Sequence, residues 1–273
     1  MMKGILIADS GGTSTKWVHS ENSDWSFSME SLHPRRLHEL SEQRKVELNA
    51  FFTTIEFEEV HFYGAGCSSK EAKESLKLFL NEIGINSKDV HLKIETDALL
   101  ACRATLGTNA GYVAILGTGS ILMQYNGKEI VSTFGGYGSI IGDEGSAMSF
   151  GKLFLKEYLL DPSQFDEEIR QTIGEKSTIL GELAKNTALV YISSLGEKLA
   201  KFELDAIHEL NIKRFFELYL PSENQGKISF VGSYAFFQEK NIKKILEVHN
   251  WCLGTIIQDP LTSIRTTYKV LFF

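Results

Sequence analysis

From Val113 to Ser146 the chain reads Val-Ala-Ile-Leu-Gly117-Thr118-Gly119-Ser120, then a strand-turn-strand segment, then Gly135-Gly136-Tyr137-Gly138, and finally Gly142-Asp143-Glu144-Gly145-Ser146. An apolar run that stops at Gly-Thr-Gly-Ser is a buried strand ending in a turn. Such a turn offers backbone N–H groups and hydroxyls, as a phosphate cradle requires. Asn126-Gly127 lies between the alternating runs Ile121–Tyr125 and Glu129–Thr133, a strong hairpin signal. The block is therefore strand, phosphate-type loop, hairpin and second glycine loop. It closes with two carboxylates that lead into a helix.

The first hundred residues follow the same order. Gly4–Ala8 is a short buried strand that ends at Asp9-Ser10-Gly11-Gly12-Thr13-Ser14-Thr15-Lys16, and a second strand starts near Trp17. A Walker-type loop would lead into a helix and carry Gly-Lys-Ser/Thr, which is absent. Trp25–Met29 alternates as a third strand, and Leu37–Thr54 is helical in composition. Val60–Tyr63 runs into Gly64-Ala65-Gly66-Cys67. Ser69–Ile83 is an amphipathic helix stopped by Gly84, His91–Ile94 is a strand, and Thr96-Asp97 opens the helix Ala98–Leu106.

After Val113 the pattern restarts, which reads as an approximate structural duplication. Gly145–Leu159 is helical, residues 164–219 are helix-rich, and Lys227–Val231 is a strand followed by Gly232-Ser233 and a helix to about Val248. A strand near Leu253–Ile257 and a helix from Pro260 finish the series. Strands alternating with helices in two halves predict an α/β chain of two lobes. The expected boundaries are 1–108, completed by 258–273, and 109–257.

Composition limits the partners. Among 273 residues the net charge is −7, so no general attraction to nucleic acid or to an anionic membrane surface is expected. Cys67, Cys102 and Cys252 fit neither a disulfide framework nor a C-x-x-C site and suggest a reducing compartment. No run approaches transmembrane length and the N-terminus carries no cleavage site, so a cytoplasmic protein is expected.

Asp9-x-Gly-Gly-Thr13-x-x-Lys16, Gly64-Ala-Gly-Cys67, Thr96-Asp97-Ala98, Gly117-Thr-Gly-Ser120, Gly136-Tyr-Gly138, Gly142-Asp-Glu-Gly-Ser146 and Val231-Gly-Ser233 stand in an order that resembles the BadF/BadG/BcrA/BcrD-type ATPase family. The resemblance runs from Lys3 to about Ile257 and is stronger to the N-acetylglucosamine kinase branch. It implies the two-lobed actin/hexokinase/Hsp70 (ribonuclease H-like) fold, with nucleotide between the lobes. It further implies ATP with Mg²⁺, a small-molecule sugar substrate, and formation of N-acetylglucosamine 6-phosphate. By the same resemblance Gly11, Gly12, Thr13 and Lys16, with Gly117, Thr118, Gly119 and Ser120, form two phosphate hairpins, and Gly232 and Ser233 lie where adenosine is held. Asp9 would hold Mg²⁺ through water, Asp97 would be the catalytic base, and Gly136, Tyr137, Gly138 and Asp143 would contact the sugar.

Each role has a plainer reading. Asp9 could be a turn-forming carboxylate at a strand end, and Lys16 an exposed surface lysine. Asp97 could be only a helix N-cap, and Asp143 and Glu144 could complement a helix dipole. His33 occupies the stretch where the kinases carry a sugar-binding asparagine, a departure that bears on the choice of sugar. Two other functions remain open: an activating ATPase of a radical dehydratase or reductase with a shared [4Fe–4S] cluster, and a non-catalytic sugar or nucleotide sensor. No cysteine lies where the cluster ligands of that ATPase branch belong. The apolar ending Thr266–Phe273 either packs back on the first lobe or forms a subunit contact, as in a homodimer.

Overall fold

The computed structural model describes residues 4–12, 14–85, 90–221 and 226–264. The chain divides into two compact units, Met1–Gly107 with Pro260–Phe273, and Thr108–Asp259.

In the first unit β1 (Gly4–Ser10), β2 (Ser14–His19) and β3 (Ser26–Glu30) form an antiparallel meander. A 3-10 helix, Pro34–Glu39, and α1 (Glu42–Phe52) follow. Next come β4 (Phe57–Gly64), α2 (Lys70–Glu82), β5 (His91–Glu95) and α3 (Asp97–Leu106). β4 pairs parallel to β1, and β5 parallel to β4, giving the order β3-β2-β1-β4-β5.

The second unit opens with the meander β6 (Ala110–Leu116), β7 (Ser120–Asn126) and β8 (Ile130–Gly135). It continues through α4 (Ala147–Leu160), α5 (Glu167–Ile173), α6 (Lys176–Leu183), α7 (Ala188–Leu199) and α8 (Asp205–Tyr219). β9 (Lys227–Val231), α9 (Ser233–Phe237), α10 (Glu239–Val248) and β10 (Cys252–Ile257) complete it. Its sheet order, β10-β9-β6-β7-β8, reads from the other end as the same meander followed by two parallel strands. The two units share one topology.

Strand periodicity explains the core of the first unit. Leu6 and Ala8 face a cluster with Trp17, Val60, Phe62, Leu48, Phe52, Leu76 and Leu80. Their neighbours Ile5 and Ile7 face the opposite side, with Val18, Tyr63, Leu100, Leu261 and Ile264. A sheet with parallel strands covered on both faces reads as a continuous apolar run, which is how Gly4–Ala8 appears in the sequence. In the second unit Ala114, Leu116, Leu122, Ile228 and Phe230 pack against Phe150, Phe154, Phe215 and Phe216 from the helices.

Two expected helices are each divided. Leu37–Thr54 breaks because Leu40 and Ser41 are extended and the Ser41 hydroxyl accepts from the Arg44 N–H, starting α1 afresh. The helix expected from Ser233 to Val248 breaks at Gln238, whose buried amide donates to the Ala200 carbonyl at 2.6 Å. Thr13 and the ending Thr266–Phe273 lie outside the described residues.

Candidate functional site

In the first unit the β1–β2 turn is fastened from one side. Ser31 Oγ donates to the Gly11 carbonyl at 2.6 Å, and Arg36 Nη1 to the Gly12 carbonyl at 3.1 Å. Below the turn the buried Ser10 and Thr15 hydroxyls pair at 2.8 Å, and the Leu32 N–H donates to Thr15 Oγ1. Apart from the chain neighbours, no described residue stands within 4 Å of where a Gly12 Cβ would be. A ligand can thus come close to this backbone. Asp9 is half-buried at the end of β1, in register with Lys16 on β2 and Tyr63 on β4, and Lys16 is exposed.

A second group in this unit gathers at the ends of β4 and β5. Thr96 is the N-cap of α3, its hydroxyl accepting from the Leu99 N–H at 3.2 Å. Asp97 is the first residue inside the helix, and its Oδ1 accepts from the Ala98 N–H at 2.9 Å. Burial lifts the Asp97 carboxyl above the ordinary aspartate range, while the Ala98 and Asp97 N–H groups and the nearby His33 pull the other way. A carboxylate so lifted is a better proton acceptor than one in open water.

His33 also has a local task. Its Nδ1 accepts from the Arg35 N–H and caps the 3-10 helix, with Pro34 in the first turn. Its ring lies against Gly66, where a Cβ would stand 2.5 Å from Nε2. Gly66 has φ +79°, so its backbone conformation and the imidazole both favour glycine there. Cys67 is fully buried in the core, and burial pushes its thiol up to about 11. It is a packing residue rather than a reactive thiolate.

In the second unit the β6–β7 turn occupies the same place in the topology. The Gly117 N–H donates to the Gly119 carbonyl, and the Gly117 carbonyl accepts from the Ala147 N–H at 2.8 Å. Ser120 ties the turn to the carboxylate loop: its N–H donates to Asp143 Oδ1 at 3.2 Å and its hydroxyl to the Glu144 carbonyl at 2.6 Å. A Cβ on Gly119 would meet the Asp143 carboxylate at 3.3 Å, so the carboxylate lies against the turn. Burial raises the Asp143 carboxyl, with Glu144 adding to the rise and the Ser120 N–H and Lys152 opposing it.

Asp143 has φ +66°, a left-handed conformation that aspartate and asparagine tolerate better than most side chains. Glu144 turns elsewhere. It accepts the Tyr219 hydroxyl at 2.6 Å and lines a cavity of about 500 Å³ with Gly142, Lys152 and Arg214. Gly136, Tyr137 and Gly138 are exposed in the segment leading to this loop. The Gly232 turn abuts the β6–β7 turn: with φ +118°, its Cβ would stand 2.5 Å from the Leu116 carbonyl.

The structure therefore brings Gly117–Ser120, Asp143 and Gly232 together in the second unit, and His33, Gly66, Cys67 and Asp97 together in the first. Sequence reasoning missed Thr96 as the cap and passed over Asn211, Tyr219 and Tyr234. The signal for two of these was present: Asn211, Phe215 and Tyr219 are four residues apart and so share one face of α8.

No family model matches the chain. Over 119 residues it is 30% identical to the N-acetylmuramic acid/N-acetylglucosamine kinase of Clostridium acetobutylicum, a match covering 44% of this chain and 35% of that protein. Among solved structures, a proposed N-acetylglucosamine kinase from Porphyromonas gingivalis superposes with a TM-score of 0.79 at 23% identity, over 97% of this chain and 98% of that one. The chain has a sugar-kinase fold. A ROK-family glucokinase from Streptomyces griseus, solved with glucose and AMPPNP, matches at a TM-score of 0.59 and 11% identity over 98% and 99% of the two chains. The α/β architecture expected from the alternation of strands and helices is thereby borne out. Among the described residues, no helix is long and apolar enough to cross a membrane.

Proposed function

We propose that this protein is an ATP-dependent kinase of an amino sugar, converting N-acetylglucosamine to its 6-phosphate. The observation that carries the reading is Asp97. Its carboxylate is lifted by burial, lies beside His33, and stands at a helix end whose cap is Thr96. Phosphoryl transfer asks the protein mainly for positioning and charge stabilisation. Asp97 takes the proton of the sugar hydroxyl as that oxygen bonds to the γ-phosphorus, and ADP leaves with the electrons of the broken P–O bond. In the first unit the Gly11–Gly12 backbone and Lys16 are the phosphate-holding groups and His33 is a sugar contact. In the second unit Gly117–Ser120 are the phosphate-holding groups, Gly232-Ser233 the adenosine contact, and Asp143 with Gly136–Gly138 the sugar contacts.

A half-buried carboxylate beside an open glycine turn suits a hydrated Mg²⁺, which dehydrates reluctantly and uses few protein ligands. Asp9 would hold the ion, which neutralises phosphate charge when bound.

The deciding experiment measures ADP release with Mg·ATP against a panel of hexoses and N-acetylhexosamines, N-acetylmuramic acid included. The reading expects the largest kcat/KM for N-acetylglucosamine, with 6-phosphate as product. ADP release that no sugar stimulates would overturn it.

A further inference from the structure

A chain of buried polar groups runs behind the carboxylate loop, outside the residues assigned to substrate. Asn211 lies mid-helix in α8 and is fully buried. Its Oδ1 accepts from the Gly145 N–H at 3.0 Å, and its Nδ2 donates to the Ser146 carbonyl at 3.0 Å and to the Tyr234 hydroxyl at 3.0 Å. The Tyr234 oxygen in turn meets His208 Nδ1 at 2.9 Å, and His208 Nε2 meets the Phe202 carbonyl at 3.2 Å.

The proton pattern is determined. A carbonyl can only accept, so His208 Nε2 carries the hydrogen and Nδ1 accepts from Tyr234. Burial pushes His208 down to about 4, which keeps it in this neutral form. Tyr234 then donates to His208 and receives from Asn211, and the Asn211 amide pairs with one backbone group on each of two consecutive loop residues, the Gly145 N–H and the Ser146 carbonyl. A buried amide with its bonds made is tolerated, whereas the same group left unpaired is costly.

The rest of α8 supports the same loop. One turn on, Phe215 packs against Gly145, where a Cβ would stand 2.7 Å from Phe215 Cβ. Two turns on, Tyr219 holds the Glu144 carboxylate, and its ring would meet a Gly135 Cβ at 3.2 Å. Of these three α8 residues, Asn211 hydrogen-bonds both the loop and Tyr234, the second residue after Gly232.

We propose that Asn211 is a positioning residue: anchored by Tyr234 and His208, its amide sets the Gly145–Ser146 backbone and so the direction of Asp143 and Glu144. It acts through the loop and touches no substrate. Its effect on turnover rests on the kinase reading above; its effect on the loop does not.

The test uses the full-length protein with Asn211→Leu, which keeps volume but removes the amide, and Tyr234→Phe, which removes one oxygen. Hydrogen–deuterium exchange without ligand should accelerate in peptides spanning 142–147 while β6 and α4 keep their protection. Well below both melting transitions, Asn211→Leu should lower kcat on the order of 10²-fold, as misplacement of a catalytic group does. The KM for sugar should rise. Tyr234→Phe should show the same pattern at roughly five-fold, the loss of one hydrogen bond. It decides the matter if Asn211→Leu does not fold. Unchanged exchange at 142–147, protection lost evenly across the second unit, or an unchanged kcat in folded variant would each overturn the proposal. If the wild type phosphorylates no sugar, the kinase reading falls and the exchange result still decides the role of Asn211.

Discussion

The Thr96 hydroxyl accepts the Leu99 N–H at 3.2 Å and so performs the capping of α3 that the neighbouring Asp97 was equally suited to perform. Capping and catalysis can therefore be separated by mutation. Thr96→Ala should cost about 1 kcal/mol of stability. Asp97→Asn keeps the acceptor for the Ala98 N–H and removes a charge whose burial is unfavourable, so its melting temperature should equal or exceed that of the wild type. Sugar-dependent turnover should fall by roughly 10²-fold or more. Retention of above about a tenth of the wild-type kcat would assign the base elsewhere.

His33 and Gly66 form a matched pair, since the glycine leaves room for the ring. Gly66→Ala should displace the imidazole and destabilise the protein, both by contact and by the positive φ, the latter by about 1 kcal/mol. His33→Asn should remain folded, because asparagine also caps helices. With the kinases' own residue in place, its KM for N-acetylglucosamine should be no higher than that of the wild type, whereas His33→Ala should raise it. Steady-state kinetics on the three variants provide the check.

Asp143 combines a left-handed backbone with a bond to Ser120. Asp143→Asn should keep both and remain as stable as the wild type while binding sugar less tightly. Asp143→Ala should lose about 1 kcal/mol or more from backbone strain in addition. Equal melting temperatures for the two variants would count against a strained backbone at this position.

The buried imidazoles of His61 and His208 are both pushed down to about 4 by burial. Between that value and the unfolded value near 6.5 the unfolded chain binds more protons, so stability rises with pH through this window. Their stabilising contribution is complete above about pH 6.5 and is lost as pH falls toward 4. Acidification from pH 7 to pH 4.5 should remove a few kcal/mol in total, read as a falling melting temperature. A flat profile over this range would contradict burial of the neutral rings.

Local signals made much of this legible in sequence. The glycine turns announce themselves because each needs only its own residues, and Gly127 takes the positive φ of +94° that Asn-Gly implies. The face of α2 was readable for the same reason, with Leu76, Phe79 and Leu80 buried together. What was not legible depends on distant partners. The break at Gln238 is fixed by a carbonyl 38 residues away, and Asn211 finds its loop partners 65 and 66 residues back. A polar residue in a helical stretch reads as surface until the fold shows what it meets. The shared topology of the units was legible as a repeated order of strand and glycine turn, and not as side-chain identity.

Leu261 and Ile264 complete the face of the first sheet that Ile5 and Ile7 begin. During synthesis, that face is therefore covered only in part, by Leu100 and Ala104 of α3, until the second unit has been made and Leu261 and Ile264 follow it. The second unit has no such wait, since its sheet and helices are contiguous in the chain. Folding in the cell should thus run against chain order, with the later unit closing first. The part of the face left for Leu261 and Ile264 is apolar surface that can stick to other chains in the interval.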